Sequence, residues 1–286
     1  MANGWTGGQY SAYRVVLAGA IATHFGVVGW IAGAPLALGV ADRRAAVAFV
    51  AGAAVAVLTG HAPPSAAGAA ACALSLLHVV TPGEPYGAWS ARGRPEPGGG
   101  WRLPPGVHWA ARALLAACLA LALAGRIESL GALWLPLALL SCDPAWVPAK
   151  RAGAPARLFY DGDCGLCHAA VRFVLAEDRE GRAFRFAPLS SESFARVAPI
   201  EVRATLPDSI VVALRDGALL VRSAAALEIA ARLGGLWRAL ARVTALLPAA
   251  LLDRLYDAIA RNRKRFVGPP ADSCPAVSPE LRARFD

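Results

Sequence analysis

Cys164 and Cys167 stand in the run Phe159-Tyr160-Asp161-Gly162-Asp163-Cys164-Gly165-Leu166-Cys167-His168. Two thiols at this spacing lie about one helical turn apart, which lets their sulfurs join. That is the requirement for dithiol–disulfide exchange. One thiolate attacks a substrate disulfide and the second releases the product. The same letters, Cys-x-x-Cys-His, also spell an attachment site for c-type haem. A third chemistry is a zinc site gathered from Cys164, Cys167, His168 and the distant Cys274.

The surrounding residues decide how such a pair would be presented. Ala156-Arg157-Leu158-Phe159-Tyr160 reads as a short buried strand, and Asp161-Gly162-Asp163 as a turn. A helix is expected through 169–177, with Val171, Val174 and Leu175 on one face. Cys164 then falls where the helix begins, and the unpaired N–H groups there favour a thiolate. The predicted roles follow: Cys164 attacks, and Cys167, one turn inward and better shielded, resolves the mixed disulfide. Asp161 and Asp163 oppose the thiolate electrostatically. Turn formation and N-capping are their expected work, with proton acceptance from Cys167 as the alternative. His168, four residues after Cys164, either stabilises the thiolate when protonated or is a solvated helix residue.

Further along, Phe184–Pro188 reads as a strand, and 209–214 with 218–221 as a hairpin around Arg215-Asp216-Gly217. Helices are expected over 223–233, 236–247 and 248–265. This order predicts an α/β thioredoxin-like domain with additional C-terminal helices. Such folds place a cis-proline before the hairpin, beside the cysteine pair, and Pro207 is the candidate. Haem attachment is disfavoured because the sole methionine is Met1, which removes a distal Met ligand. Zinc is disfavoured because adjacent Cys167 and His168 are poorly placed to share one metal. No nucleotide fingerprint is present, so no cofactor is expected. Electrons then come from an unidentified thiol donor, or from the membrane.

Tyr-Asp-Gly-Asp-Cys-Gly-Leu-Cys-His at 160–168 resembles the signature of the DCC family of thiol–disulfide oxidoreductases. The resemblance continues through Asp208-Ser209, Asp216-Gly217, Arg222-Ser223-Ala224-Ala225-Ala226-Leu227 and Leu233-Gly234. It ends with Tyr256-Asp257-Ala258-Ile259-Ala260-Arg261-Asn262-Arg263 and Cys274-Pro275. The resemblance implies a thioredoxin-like fold with Cys164 and Cys167 as the redox pair, acting on a protein or small-molecule disulfide. Arg263 and Cys274 match the family's ending. Cys274 is either a third redox thiol or an exposed tail residue.

The first half has another character. Of 286 residues 56% are hydrophobic, and mean hydropathy is +0.45. No Asp, Glu, Lys or Arg occurs between Arg14 and Asp42, Arg44 and Glu84, Arg112 and Arg126, or Glu128 and Asp143. A bilayer core needs roughly 20 apolar residues per helix. About five transmembrane helices are therefore expected, near 15–40, 44–60, 65–81, 107–125 and 129–148. The predicted organisation is a multi-span α-helical membrane domain over 1–150, then the thioredoxin-like domain over 151–286. The first apolar run is too long for a signal peptide. The loop Thr81–Trp101 and the ending Asp143-Pro144-Ala145-Trp146-Val147-Pro148 locally resemble the membrane module of vitamin K-dependent carboxylases, called HTTM. That likeness implies no carboxylase activity.

His24, His61 and His78 lie in or beside the spans. No carboxylate or second histidine stands at a helical spacing from any of them, so interhelical hydrogen bonding or an interfacial position is expected. The net charge of +9 comes from scattered arginines with no aromatic-interleaved stripe, which argues against nucleic acid as a partner. With five spans, most loop Arg and Lys fall on one side, and that side should be cytoplasmic. The protein is thus expected in a bacterial-type inner membrane, with the lipid bilayer as partner and its C-terminal domain in the cytoplasm. Arg261-Asn262-Arg263-Lys264-Arg265 would then face solvent or anionic lipid. The competing function is a transport or assembly membrane protein carrying a redox-sensing or metal-binding appendage.

Overall fold

A computed structural model of the protein describes residues 3–127, 129–150, 153–207, 209–266 and 277–286, with only the backbone over 263–266. The chain divides into two compact units. One comprises residues up to Arg92 with Gly100–Asp143; the other comprises Gly93–Gly99 with Pro144–Asp286.

The first unit is helical: α1 (Gly7–Leu38), α2 (Asp42–Leu58), α3 (Ala66–Val79), α4 (Pro105–Leu123) and α5 (Trp134–Ser141). Among the described residues α1 and α4 are long and apolar enough to cross a bilayer, and the bent helix pair Gly235–Thr244 and Ala249–Asn262 would make a third span if counted as one, so five spans are not confirmed. A charge-free run measures composition, whereas a span also needs unbroken helix. Helices α2 and α3 have 17 and 14 residues, and the last run is a short 3₁₀ turn followed by an eight-residue helix. Even α1 leaves helical geometry at Gly26, where φ is +56°. Only glycine adopts that backbone at little cost. Beyond it the chain folds back. A Cβ at Gly29 would overlap the Ile21 carbonyl, and one at Gly33 would lie 2.9 Å from Ala18 O. These two small residues let the second arm of α1 touch the first.

Polar groups tie the helices of this unit together. His78 Nδ1 lies 2.9 Å from Tyr10 Oη, and Thr81 Oγ1 donates to the same hydroxyl at 3.2 Å. Asp42 Oδ2 lies 3.5 Å from His78 Nε2 and accepts from the fully buried Arg14 at 2.9 Å. His78 thus takes the interhelical bonding expected of it. Its carboxylate comes from another helix, which no spacing along its own helix would reveal. His24 and His61 are exposed.

The second unit contains β1 (Ala156–Tyr160), α6 (Gly165–Glu177), β2 (Phe184–Pro188), α7 (Glu192–Val197), α8 (Ile200–Thr205), β3 (Val211–Ala213), β4 (Leu219–Val221), α9 (Arg222–Leu233), α10 (Gly235–Thr244), α11 (Ala249–Phe266) and α12 (Pro279–Arg282). The strands form one mixed sheet in the order β2-β1-β3-β4. Strand β1 pairs parallel with β2 and antiparallel with β3, and β4 is antiparallel to β3. The parallel pair needs a crossover, and α6 supplies it.

Side-chain alternation explains why the sheet is covered on both faces. Leu158 and Tyr160 of β1, Phe184 and Phe186 of β2 and Val212 of β3 pack with Val171 and Val174 of α6 and Ile229 of α9. Phe159, Ala187 and Val211 point the other way, against Phe194 of α7. The outer edge of β2 is capped by the end of the chain: Phe186 N–H donates to Arg284 O at 2.9 Å, and Asp286 N–H to Phe186 O at 2.9 Å.

Two buried ionic groups fix the ends of the key elements. Asp178, at the C-terminus of α6, accepts from the N–H groups of Arg182 and Ala183 at 3.2 and 2.9 Å and pairs with Arg284. Burial pushes the Arg284 guanidinium below its ordinary range, and Asp178 opposes that shift. Glu228 on α9 binds Lys150 at 2.7 Å and Arg232 at 2.8 Å, anchoring the segment that enters the domain.

Candidate functional site

The turn between β1 and α6 is built by its own side chains. Asp163 N–H donates to Asp161 Oδ1 at 2.9 Å, and Cys164 N–H to Asp161 O at 3.3 Å. An Asx turn of this kind redirects a chain leaving a strand. It delivers Cys164, still in extended conformation (φ −107°, ψ 109°), as the N-cap of α6. The Cys164 Sγ accepts the N–H of Cys167 at 3.2 Å. The turn-forming expectation for Asp161 and Asp163 therefore fits the geometry, but N-capping does not belong to either: the thiol of Cys164 itself caps the helix. Asp161 sits too far back, three residues before the cap, and its carboxylate is engaged in the turn.

The expected contrast in shielding is absent. Cys164 is 7% exposed and Cys167 8%. The reason lies in His168, whose ring Nε2–H donates to Gly162 O at 2.9 Å while the ring packs edge-on to Tyr160. That bond closes the turn containing Cys164, so the first cysteine is enclosed as fully as the second. His168 is buried rather than solvated. Its Nε2 is engaged by backbone, which also leaves it unsuited to ligate a haem iron at this motif.

Cys167 faces a cavity of about 290 Å³, at the small end of the ~300–1,000 Å³ usual for ligand pockets. Its lining includes Ser209 and Ile210 before β3, Trp237 of α10, and Tyr256 and Ile259 of α11. Tyr256 Oη accepts from Ile210 N–H at 3.2 Å, and Ser209 Oγ accepts from Arg222 N–H at 3.3 Å. Arg222 in turn pairs with Asp257 at 3.1 Å, and Ser223 bonds Asp253. These contacts hold α11 over the cavity. Trp237 donates to the buried Glu177. The sequence alone gives neither Trp237 nor Tyr256 a role at the site. The available signal was the amphipathic spacing of α10 and α11, which turns these rings inward.

The other expected site residues separate. Pro207 leads into the cavity-lining pair Ser209 and Ile210, yet no peptide bond among the described residues is cis, so the cis-proline expectation is not met. Three residues separate Pro207 from β3, so it lies outside the strand's register. Arg263 lies in α11, with its side chain outside the described residues, and Cys274 lies outside them altogether. Among the described residues no three His, Cys, Asp or Glu side chains gather as a metal site.

Comparison with known proteins places this constellation. Residues 158–269, from β1 through α11, match the family described as DCC1-like thiol-disulfide oxidoreductase. The uncharacterized protein YuxK of Bacillus subtilis (strain 168) is 31% identical over 128 residues, 45% of this chain and 91% of that protein. A chloroplastic DCC family protein of Arabidopsis thaliana is 32% identical over 117 residues, 41% of this chain and 67% of that one. No solved structure matches the chain. The family match lies wholly in the second half and lends nothing to the carboxylase-like resemblance of the first. The family match covers the β1–α6 cysteine turn and the sheet that carries it, and by that match and these likenesses the chain belongs to the DCC1-like thiol–disulfide oxidoreductase family.

Proposed function

We propose that the protein is a membrane-anchored thiol–disulfide oxidoreductase with Cys164 and Cys167 as its working pair. The observation that carries this reading is the cap of α6, where Cys164 Sγ accepts the Cys167 N–H at 3.2 Å. A helix start offers its free N–H groups to charge that develops on the capping atom. The strand order β2-β1-β3-β4, with α6 crossing between the parallel strands, supports a thioredoxin-like reading of the domain.

In this mechanism the Cys164 thiolate attacks a substrate disulfide. The substrate S–S bond breaks, one half leaves as thiolate, and a mixed disulfide forms on Cys164. The Cys167 thiolate then attacks Cys164 Sγ, expelling the other half as thiolate and leaving a Cys164–Cys167 disulfide. Two electrons have passed to the substrate, and an external thiol donor restores the dithiol. The apolar cavity beside Cys167 suits a substrate with an apolar flank, and Ser209 and Ile210 would border it. Asp161 and His168 act by holding the turn, through Asp163 N–H and Gly162 O.

Helix α4 and the apolar folded-back arms of α1 would supply the anchor. A cytoplasmic position for the redox domain is supported by its basic flanks, Lys150-Arg151 and Arg261 to Arg265, against an anionic leaflet. In that compartment the pair works in the reducing direction. The test is a redox titration of the full chain in detergent, counting alkylated thiols by mass spectrometry. Two thiols are expected to titrate together as a two-electron couple, lost in both Cys164→Ser and Cys167→Ser. A chain in which these thiols never form a reversible disulfide would overturn the reading.

A further inference from the structure

Helices α10 and α11 are bent against each other by 118° at the break between Thr244 and Ala249. No charged residue occurs from Val243 through Leu252. In this tip Val243 is 65% exposed and Leu246 83%, with Leu247 and Leu251 also exposed. Leu240, Leu255 and Ile259 extend the apolar surface along both arms. Water-facing leucine on this scale needs a partner, since contiguous apolar patches of this kind mark interaction surfaces.

The charges on the same two helices are sorted. Asp253 is turned inward to Ser223, and Asp257 to Arg222. Arg242, Arg254 and Arg261 are exposed. The outward face is therefore an uncharged apolar tip bracketed by arginines on either arm. That pattern fits an anionic lipid surface, with apolar side chains entering the acyl boundary and guanidinium groups remaining at headgroup level. A second copy of this face fits poorly, because apposed tips would bring like charges together. With arms of 10 and 18 residues and so sharp a bend, the pair is not one straight span. The same chain carries two helices long and apolar enough to cross a bilayer, so a lipid surface is at hand.

We infer that the α10–α11 tip, residues 243–251, inserts into the interfacial layer of an anionic bilayer, so that the redox domain holds lipid through its own surface. The inference stands apart from the redox reading and survives if the cysteines prove inert. It is tested on the full chain reconstituted in vesicles of mixed phosphatidylglycerol and phosphatidylethanolamine. The vesicles are photolabelled with a diazirine that partitions into acyl chains, and the labelled peptides are mapped by mass spectrometry. Label is expected on 243–251 and not on the exposed helix α7. The Leu246→Glu/Leu247→Glu variant should lose the tip label while α4 keeps its own. Labelling of α4 without the native tip would overturn the inference. So would protection of the tip from both this reagent and a water-soluble carbene source, which would show that protein covers it. The decisive comparison uses the native chain, so it does not depend on the variant folding.

Discussion

Replacing Cys164 by alanine and by serine separates the structural work of this side chain from its chemistry. Both changes remove the thiol and are expected to abolish thiol–disulfide exchange. Only alanine removes the cap, because the serine hydroxyl can accept the Cys167 N–H that Cys164 Sγ now accepts at 3.2 Å. Losing an oxygen N-cap to alanine costs about 0.5–2 kcal/mol, and serine ranks among the best caps. Sulfur is the weaker acceptor, so the low end, about 0.5 kcal/mol, applies here and multiplies the local opening constant of the first turn of α6 by about two at 25 °C. Hydrogen exchange followed by mass spectrometry on the reduced full chain reads this directly in peptides covering 161–175. Cys164→Ala should speed exchange of the first-turn amides about twofold, whereas Cys164→Ser should be no faster than the native chain. Equal exchange in native and alanine chains would refute the cap as a structural element. Serine as fast as alanine would refute the hydrogen-bond argument.

Two further outcomes follow from other parts of the molecule. Burial alone would raise the Glu228 carboxyl, but its bonds to Lys150 and Arg232 more than offset this and hold it below the ordinary glutamate range. A depressed folded value means its contribution is present above the unfolded pKa, ~4.3, and is lost as pH falls through the lower folded value. Thermal melts of the native chain should therefore lose stability in that acid window, and Glu228→Gln should lack this component. In intact cells, an added thiol in the exposed β3–β4 turn, Ala218→Cys, should resist a membrane-impermeant maleimide until the cells are opened. Labelling from outside would reverse both the proposed side and the proposed direction of electron flow.

The β1–turn–α6 segment was legible because its signals are local: an alternating apolar strand, an Asp-Gly-Asp turn and a helix face of Val171, Val174 and Leu175. The expected strand Phe184–Pro188 appears with the same bounds, and the 209–214 strand is trimmed to Val211–Ala213. What escaped the sequence depends on residues far apart in the chain. The cavity at Cys167 needs α6, the 209–210 segment, α9, α10 and α11 to converge, and no local spacing encodes that. The identity of the cap escaped because two aspartates stand before Cys164 and capping preference favours them, whereas the Asx turn uses up Asp161. Five spans are not confirmed because lack of charge does not report helix length, and α2, α3 and α5 have only 17, 14 and 8 residues. His78 found its carboxylate on another helix.

The central claim is that Cys164 attacks and Cys167 resolves, and trapping of the mixed disulfide tests it most directly. Full-length Cys167→Ser and Cys164→Ser chains are incubated with a disulfide-bonded peptide carrying an apolar flank, quenched in acid and weighed by intact mass spectrometry. The account predicts that Cys167→Ser accumulates one peptide on Cys164 while Cys164→Ser stays unmodified. Accumulation on Cys167 in the Cys164→Ser chain, with none on Cys164 in the other, would contradict it.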